Sequence, residues 1–353
     1  MAGVIFLSYK NSVKCGAYFT LIIKIKGEKM LKIAIAAEFE LAEKLADSLA
    51  QSQLEIAELA VVEIYPFNEE QGIRFNNKAV AQYSPEDADW AAFNYVFFAG
   101  EVAHASHLAK AAEAGCVLID LFGICASLPD VPVVIPTVND QQLAELRQRN
   151  IVSLPNPQVT QSLLPLADVL QNYPLKQLII SSFLPASYMG DEKVAELAGQ
   201  TARLLNGIPL DENVQRLAFD VFPVKSANLS AQVQKIFPQL DNVVFHPVQV
   251  PVFYGMAQQV SAFFDYEVSS EAVVEMWQQN ALLDYQPETL ITPVINGEKE
   301  NGENDVKLHL SNLSQIESAV QNGIEFWSVA DDQRFTLALM AVKLAEQVYQ
   351  AGY

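Results

Sequence analysis

The chain predicts an α/β fold in two parts, a parallel sheet with helices on both faces followed by an α+β mixed sheet with helices on one side. Three observations carry this. From Leu31 to about residue 152, short apolar runs alternate with helix-period segments, the pattern of a sheet covered on both faces. Longer β-rich stretches then take over. The last segment, residues 334–350, is strongly amphipathic, with Leu337, Met340, Ala341, Leu344 and Val348 on one stripe.

Taken in order, residues 31–36, 59–65, 94–99, 116–120 and 131–136 read as strands, and residues 40–52 and 102–114 read as helices between them. This is a Rossmann-like domain over residues 30–152. In the second domain, residues 153–330, strands are expected at 175–186, 242–255 and 260–268, with helices at 192–206 and 270–280. The polar, Gly-punctuated run 296–305 reads as an exposed loop. Residues 331–353 form a C-terminal helix expected to return to the first domain. There is no internal repeat and no low-complexity segment.

A chain of 353 residues, half of them hydrophobic, is long enough for two cores. Its net charge of -20 argues against nucleic acid and anionic membrane partners. No apolar stretch is long enough to span a bilayer. Cys15, Cys116 and Cys125 form no paired framework, which fits a reducing cytoplasm. Residues 1–29 differ from the rest: five lysines and one acid give +4, leaving -24 for the remainder. With a strand opening directly after Met30, residues 1–29 read as an upstream or disordered extension, the alternative being a genuine basic arm for a partner.

Two loops hold the main functional signal. Leu154-Pro-Asn-Pro-Gln-Val-Thr160 and Gln249-Val-Pro-Val-Phe-Tyr-Gly-Met256 resemble N-P-N-C-S and R-V-P-V-x-x-G-H of aspartate-semialdehyde dehydrogenase. Phe97-Phe-Ala-Gly100, the run Asp120–Pro132, Leu217–Pro223 and Asp331-Asp-Gln-Arg334 resemble further motifs of that family. Leu204-Leu-Asn-Gly-Ile-Pro209, Pro251-Val-Phe-Tyr-Gly255 and residues 325–331 are closer still to the Usg-type proteins, homologues of the dehydrogenase that also lack its cysteine. The resemblance covers nearly everything from Met30 onward. It implies a dehydrogenase-type first domain, a second domain that forms a homodimer through residues 153–330, and, as a sharper variant, a heterodimer with an active dehydrogenase.

The resemblance also shows what is missing. The family reaction passes through a thioester and needs a thiolate, but Val159 stands at the nucleophile position. A histidine moves protons in the family, and Met256 stands in its place. Planar arginines hold the two anionic ends of the substrate; Ala126 and Gln249 occupy those positions, and Lys235 is a remnant of a family lysine, with Gln232 replacing a glutamate. Val159 and Met256 read most simply as apolar fillers of an inherited pocket. The family's glycine-rich cofactor turn becomes Ala36, Ala37, Glu38, Phe39 and Glu40, with no glycine to let a pyrophosphate approach and two acids to repel it. Acids at a helix start also complement the macrodipole. Ala99, Gly100 and Asp332 are the remaining cofactor-side remnants.

Other residues carry less. His104 and His107 are spaced to share a helix face, but no cysteine or carboxylate at recognisable spacing supports a metal site. His246 and His309 show no partner in the sequence. Cys116 reads as a buried strand residue. Cys125 is the one thiol placed to substitute for the nucleophile, with no adjacent base to activate it. The expectation is a non-catalytic homologue with a structural, regulatory or ligand-binding role and neither cofactor nor metal. One alternative is an oxidoreductase using NAD or NADP at a rebuilt site. Another is a small-molecule sensor using the interdomain cleft, whose apolar Val159 and Met256 would favour a less charged ligand.

Overall fold

The computed structural model describes residues 30–68, 71–225, 228–297, 306–316 and 322–353. The expected extension at 1–29 and residues 298–305 of the expected loop lie outside them. Strand β1 (Leu31–Ala36) is buried on both sides, with Ile33 and Ile35 facing one apolar cluster and Ala34 and Ala36 the other. Helix α1 (Phe39–Ala50) follows and buries Leu41, Ala42, Leu45, Ala46 and Leu49 on one stripe. Then come β2 (Ile56–Val62), the short hairpin of β3 (Arg74–Phe75) and β4 (Lys78–Ala79), β5 (Ala81–Tyr83) and β6 (Tyr95–Phe98). Asn76 and Asn77 turn the hairpin at positive φ, which asparagine tolerates. Helix α2 (Ala105–Glu113), β7 (Val117–Asp120) and β8 (Ile151–Ser153) complete the domain.

These strands pair parallel in the order β5-β2-β1-β6-β7-β8. The order reverses between β1 and β6, so the turns after Ala36 and Phe98 diverge and open a crevice. One expectation is corrected here. Residues 131–136 form no extended strand and contribute only a bridge between Val133 and Ser153. Pro132 and Pro136 lack the donors a central strand needs, and β8 takes the sheet position instead.

The second domain runs through α3 (Pro157–Leu163), α4 (Ala167–Asn172), β9 (Leu175–Leu184), α5 (Asp191–Leu205), β10 (Phe222–Pro223), α6 (Leu229–Ile236) and β11 (Val243–Gln249). It continues with β12 (Met256–Phe264), α7 (Ser270–Gln279), β13 (Leu283–Tyr285), β14 (Leu308–Ile316) and β15 (Asn322–Ala330). Its mixed sheet has the order β10-β11-β9-β12-β15-β14-β13. The strand expected over 242–255 ends at Gln249, because Pro251 lacks a donor and the chain bends through Gly255 at φ 87°. Period-two alternation sends Leu178, Ile180, Val260 and Phe326 beneath the helices. It leaves Ile179, Ser181, Phe183, Gln259, Ser261, Phe263, Glu325 and Trp327 partly exposed on the opposite, open face.

The C-terminal segment enters by a wide turn over Arg334–Leu339 and becomes α8 (Met340–Gln350). It does return to the first domain. Glu346 accepts the Gln53 N–H at 2.8 Å, Gln347 donates to Asp140 at 2.8 Å, and Tyr95 donates to the Tyr353 carbonyl at 2.9 Å. One apolar core runs through both domains, joining Ile33, Leu45 and Leu344 with Val159, Leu163, Val260 and Phe326. No helix among the described residues is long and apolar enough to cross a membrane.

Candidate functional site

The crevice between β1 and β6 is where a dinucleotide sits in a doubly wound sheet. Here Ala36 and Ala37 are fully buried. Glu38 begins α1 without capping it; its carboxylate turns to the start of α5, where a Cβ at Gly190 would stand 3.8 Å from both of its oxygens. Burial comes first and the neighbouring Asp191, Glu192 and Glu101 next in pushing the Glu38 carboxyl above its usual range. Burial, and after it the charges of Glu101 and Glu38, push Tyr65 up to about 12. Phe39 stacks edge-on against Phe67, with centroids 5.3 Å apart. On the β6 side, a Cβ at Gly100 would meet the Phe98 ring at 2.6 Å and Ile64 at 2.9 Å, so this glycine serves side-chain packing. No glycine opens this turn, and the carboxyl group of Glu38 stands at its end.

The loop after β7 is organised by Asp120. This fully buried carboxylate accepts from Cys125 N at 2.8 Å, Ile124 N at 3.2 Å and Ser153 Oγ at 2.7 Å. Burial nonetheless pushes its pKa upward. Gly123 holds φ 66°, and a Cβ there would meet the Leu154 carbonyl at 2.9 Å. Ala126 is buried on the α1 side of the sheet, whereas Cys125 packs on the opposite side with Leu118, Val131 and Ile151. Burial, with Asp120 adding to it, pushes the Cys125 thiol up to about 11. Two units above the ordinary thiol cuts the thiolate fraction about a hundredfold. Iodoacetamide at pH 8 should therefore modify Cys125 about a hundredfold more slowly in the native protein than in denaturant; equal rates by peptide mass mapping would contradict the placement.

The two loops singled out in the sequence do meet. Asn156 caps α3 by accepting the Gln158 N–H at 3.0 Å, with Pro157 at the first helical position. That places Val159 in the core beneath β12 and β15, fully buried. Met256, also fully buried, opens β12, and its carbonyl accepts from Gln161 at 3.2 Å. Tyr188 joins the two sides, accepting from Gln158 Nε2 and donating to Asn156 Oδ1, both at 2.9 Å. Gln258 donates to the Gln158 carbonyl and to Ser182. Asp332 closes the ring: it accepts from Ser187 Oγ at 3.0 Å and from Gly255 N at 3.3 Å. Burial, and after it the charge of Asp331, pushes Asp332 up to about 7.

Gln249, buried at the end of β11, donates to the Val250 carbonyl, and among the described residues its oxygen has no hydrogen-bond partner; the same holds for the Gln158, Gln161 and Gln258 side-chain oxygens. Gln232 accepts the Asn156 N–H at 2.7 Å. Lys235 points away from this centre and donates to the Leu128 and Val131 carbonyls. It ties α6 to the first domain, and burial lowers its pKa.

His104 accepts the Glu101 N–H and packs on Tyr65. Among the described residues no group of three metal-ligating side chains assembles. His309 has a partner after all: Asp284 lies opposite it in the β13–β14 pair, 2.9 Å away. Val159 and Met256 do not line an open cleft. Among the described residues a cleft of about 850 Å³ lies between α1 and α5 and is lined by Phe39, Glu40, Lys44, Arg74, Tyr254 and Arg334, among others. It is charged rather than apolar, which removes the reason given above for a less charged ligand.

Sequence reasoning missed Ser187, Tyr188 and Gln258, which come from separate segments united only by the second sheet. Comparison with known proteins bears on the family and the fold. Residues 163–334 fit the family model for the semialdehyde dehydrogenase dimerisation domain. The chain is 61% identical over 323 residues to a USG-1 protein homolog of Haemophilus influenzae, covering 92% of this chain and 99% of that one. It is 31% identical over 292 residues to aspartate-semialdehyde dehydrogenase 2 of Vibrio cholerae, covering 77% and 84%. The crystal structure of aspartate semialdehyde dehydrogenase II from Vibrio cholerae superposes with a TM-score of 0.84 at 28% identity, over 92% of this chain and all of that one. With the fold, the two loops and these relatives in agreement, this chain belongs to the aspartate-semialdehyde dehydrogenase family.

Proposed function

We propose that this chain is a non-catalytic member of its family, a homodimer with a structural, regulatory or ligand-binding role and no bound dinucleotide. The observation that carries the reading is the content of the centre: Val159 and Met256 are fully buried there, and neither side chain attacks a carbonyl or carries a proton. The test is an assay of aspartate semialdehyde, phosphate and NADP⁺ with protein made in a host lacking its own dehydrogenase. No turnover is expected, and none after Val159→Cys and Met256→His are combined, because the turn and both arginine positions are still changed. Turnover by the unmodified protein would overturn the reading. The oxidoreductase alternative draws no support from Cys125, whose thiol lies on the far face of the sheet.

The dimeric part rests on the open face of the second sheet. Of its eight central side chains only Glu325 is charged, in a chain of net charge -20. Depletion of charge is the mark of an interface core. The ligand-binding part is favoured by the 850 Å³ cleft between α1 and α5. Its mixed charges suit a ligand that carries charge. A thermal-shift screen of charged metabolites examines it, and no stabilisation by any of them would leave only the structural and regulatory roles.

A further inference from the structure

The segment between α5 and β10 presents an aromatic side chain in a way that its own subunit does not require. Gln200, nearly buried on α5, accepts the Leu217 N–H at 2.7 Å and the Ala218 N–H at 3.2 Å, and donates to the Gln215 carbonyl at 2.9 Å. Leu217 and Ala218 are thereby locked into a small apolar cluster with Ala186 and Leu197. The next residue, Phe219, has φ 59° and is 58% exposed. A left-handed backbone is costly for a bulky residue, and its ring gains little by way of burial. Val221 is equally exposed, and Ile208 and Val214 stand open nearby in the chain.

This apolar segment runs directly onto the open face. Phe222 and Pro223 form β10, with Pro223 in register with Val248 of β11. Val248 alternates with Val244 and His246 on the side away from the core. Pro223 therefore extends the open face at its β10 edge, four residues after Phe219. We propose that Phe219 is the aromatic anchor through which one copy of the chain engages a second copy, at the rim of the contact centred on the open sheet face. The proposal rests on the dimeric reading above. A second copy is the occupant that the continuity favours: the matched dimerisation model spans this segment and the whole open face. In a twofold contact the same patch serves both subunits, so the anchor acts twice. An exposed aromatic held in a fixed backbone conformation is the kind of group that dominates an interface.

The test is sedimentation equilibrium on the full chain and on two variants, Phe219→Gly and Ser261→Arg. Glycine adopts φ 59° freely, so Phe219→Gly removes the ring without straining the fold, and its circular dichroism should match the parent. The dimer dissociation constant should rise about a thousandfold, which is about 4 kcal/mol. Ser261→Arg places a charge at the middle of the open face and should also dissociate the dimer. If Ser261→Arg dissociates it and Phe219→Gly leaves its affinity unchanged, the face is the interface and Phe219 is not its anchor. If the unmodified chain is a monomer at every concentration, the dimeric reading falls, and this proposal with it.

Discussion

Titration of the protein with NADP⁺ or NAD⁺ should release no binding heat up to millimolar nucleotide, nor raise its melting temperature. The turn that follows β1 supports this on three counts. Glycine is absent from it, so Cβ atoms of Ala36 and Ala37 occupy the ground where a pyrophosphate approaches backbone in a fingerprint turn. Glu38 reaches across the crevice to the start of α5 beside Gly190, so a carboxyl group takes the place. Glu101, Asp191 and Glu192 surround that group. At an effective dielectric constant near 20, a phosphate about 8 Å from one carboxylate loses about 2 kcal/mol, roughly thirtyfold in affinity. A dinucleotide brings two phosphates to several such groups. Micromolar binding of either nucleotide would show that the crevice rearranges, and would return an oxidoreductase or a nucleotide sensor to the front.

Replacing Asp332 by asparagine should make the protein more stable at pH 8 and flatten its stability between pH 4 and 7. The sign follows from the raised pKa. An unfolded aspartate ionises near 4, whereas in the folded protein Asp332 holds its proton up to about 7. Below 4 the group is neutral in both states and costs nothing. As pH rises to 7 the unfolded chain ionises first, so the native state loses stability progressively. The groups that set this are Asp331 beside it, which raises the pKa, and Ser187 and Lys44, which lower it. Asparagine keeps an oxygen for Ser187 and Gly255 but cannot ionise. The gain at pH 8 should be on the order of 2–4 kcal/mol. Alanine, by contrast, strands the Gly255 N–H and should destabilise at every pH. Urea unfolding at pH 5 and pH 8 decides it; identical pH dependence in the parent and Asp332→Asn would rule out Asp332 as the source.

Much of the fold was legible because periodicity reports burial. β1 matches its expected bounds, and α1, α5 and α7 lie within a residue or two of theirs, since each carries a complete apolar stripe or run. β8 was not legible: three residues are too few to show a period, and the apolar run at 131–136 drew attention away from it. At the site, Val159 and Met256 stood out because intact motifs flank them on both sides. Ser187, Tyr188 and Gln258 have no such frame. Their roles come from sheet pairing, in which Gln258 lies opposite Ser182. His309 shows the same limit, its partner Asp284 being 25 residues away and joined to it only by a parallel pair.

The return of α8 to the first domain has a consequence for the time at which that domain exists. Its sheet is finished when β8 emerges from the ribosome, but the apolar side of β7 on which α8 packs stays bare. Roughly 190 residues separate Ser153 from Met340, about 10–40 s of synthesis at typical rates. Until then the apolar cluster that holds Ile33 and Ile119 lacks Leu344 and Val348, which complete it. The nascent chain must be sheltered for that interval, and loss of its last fifteen residues damages the part that was made first.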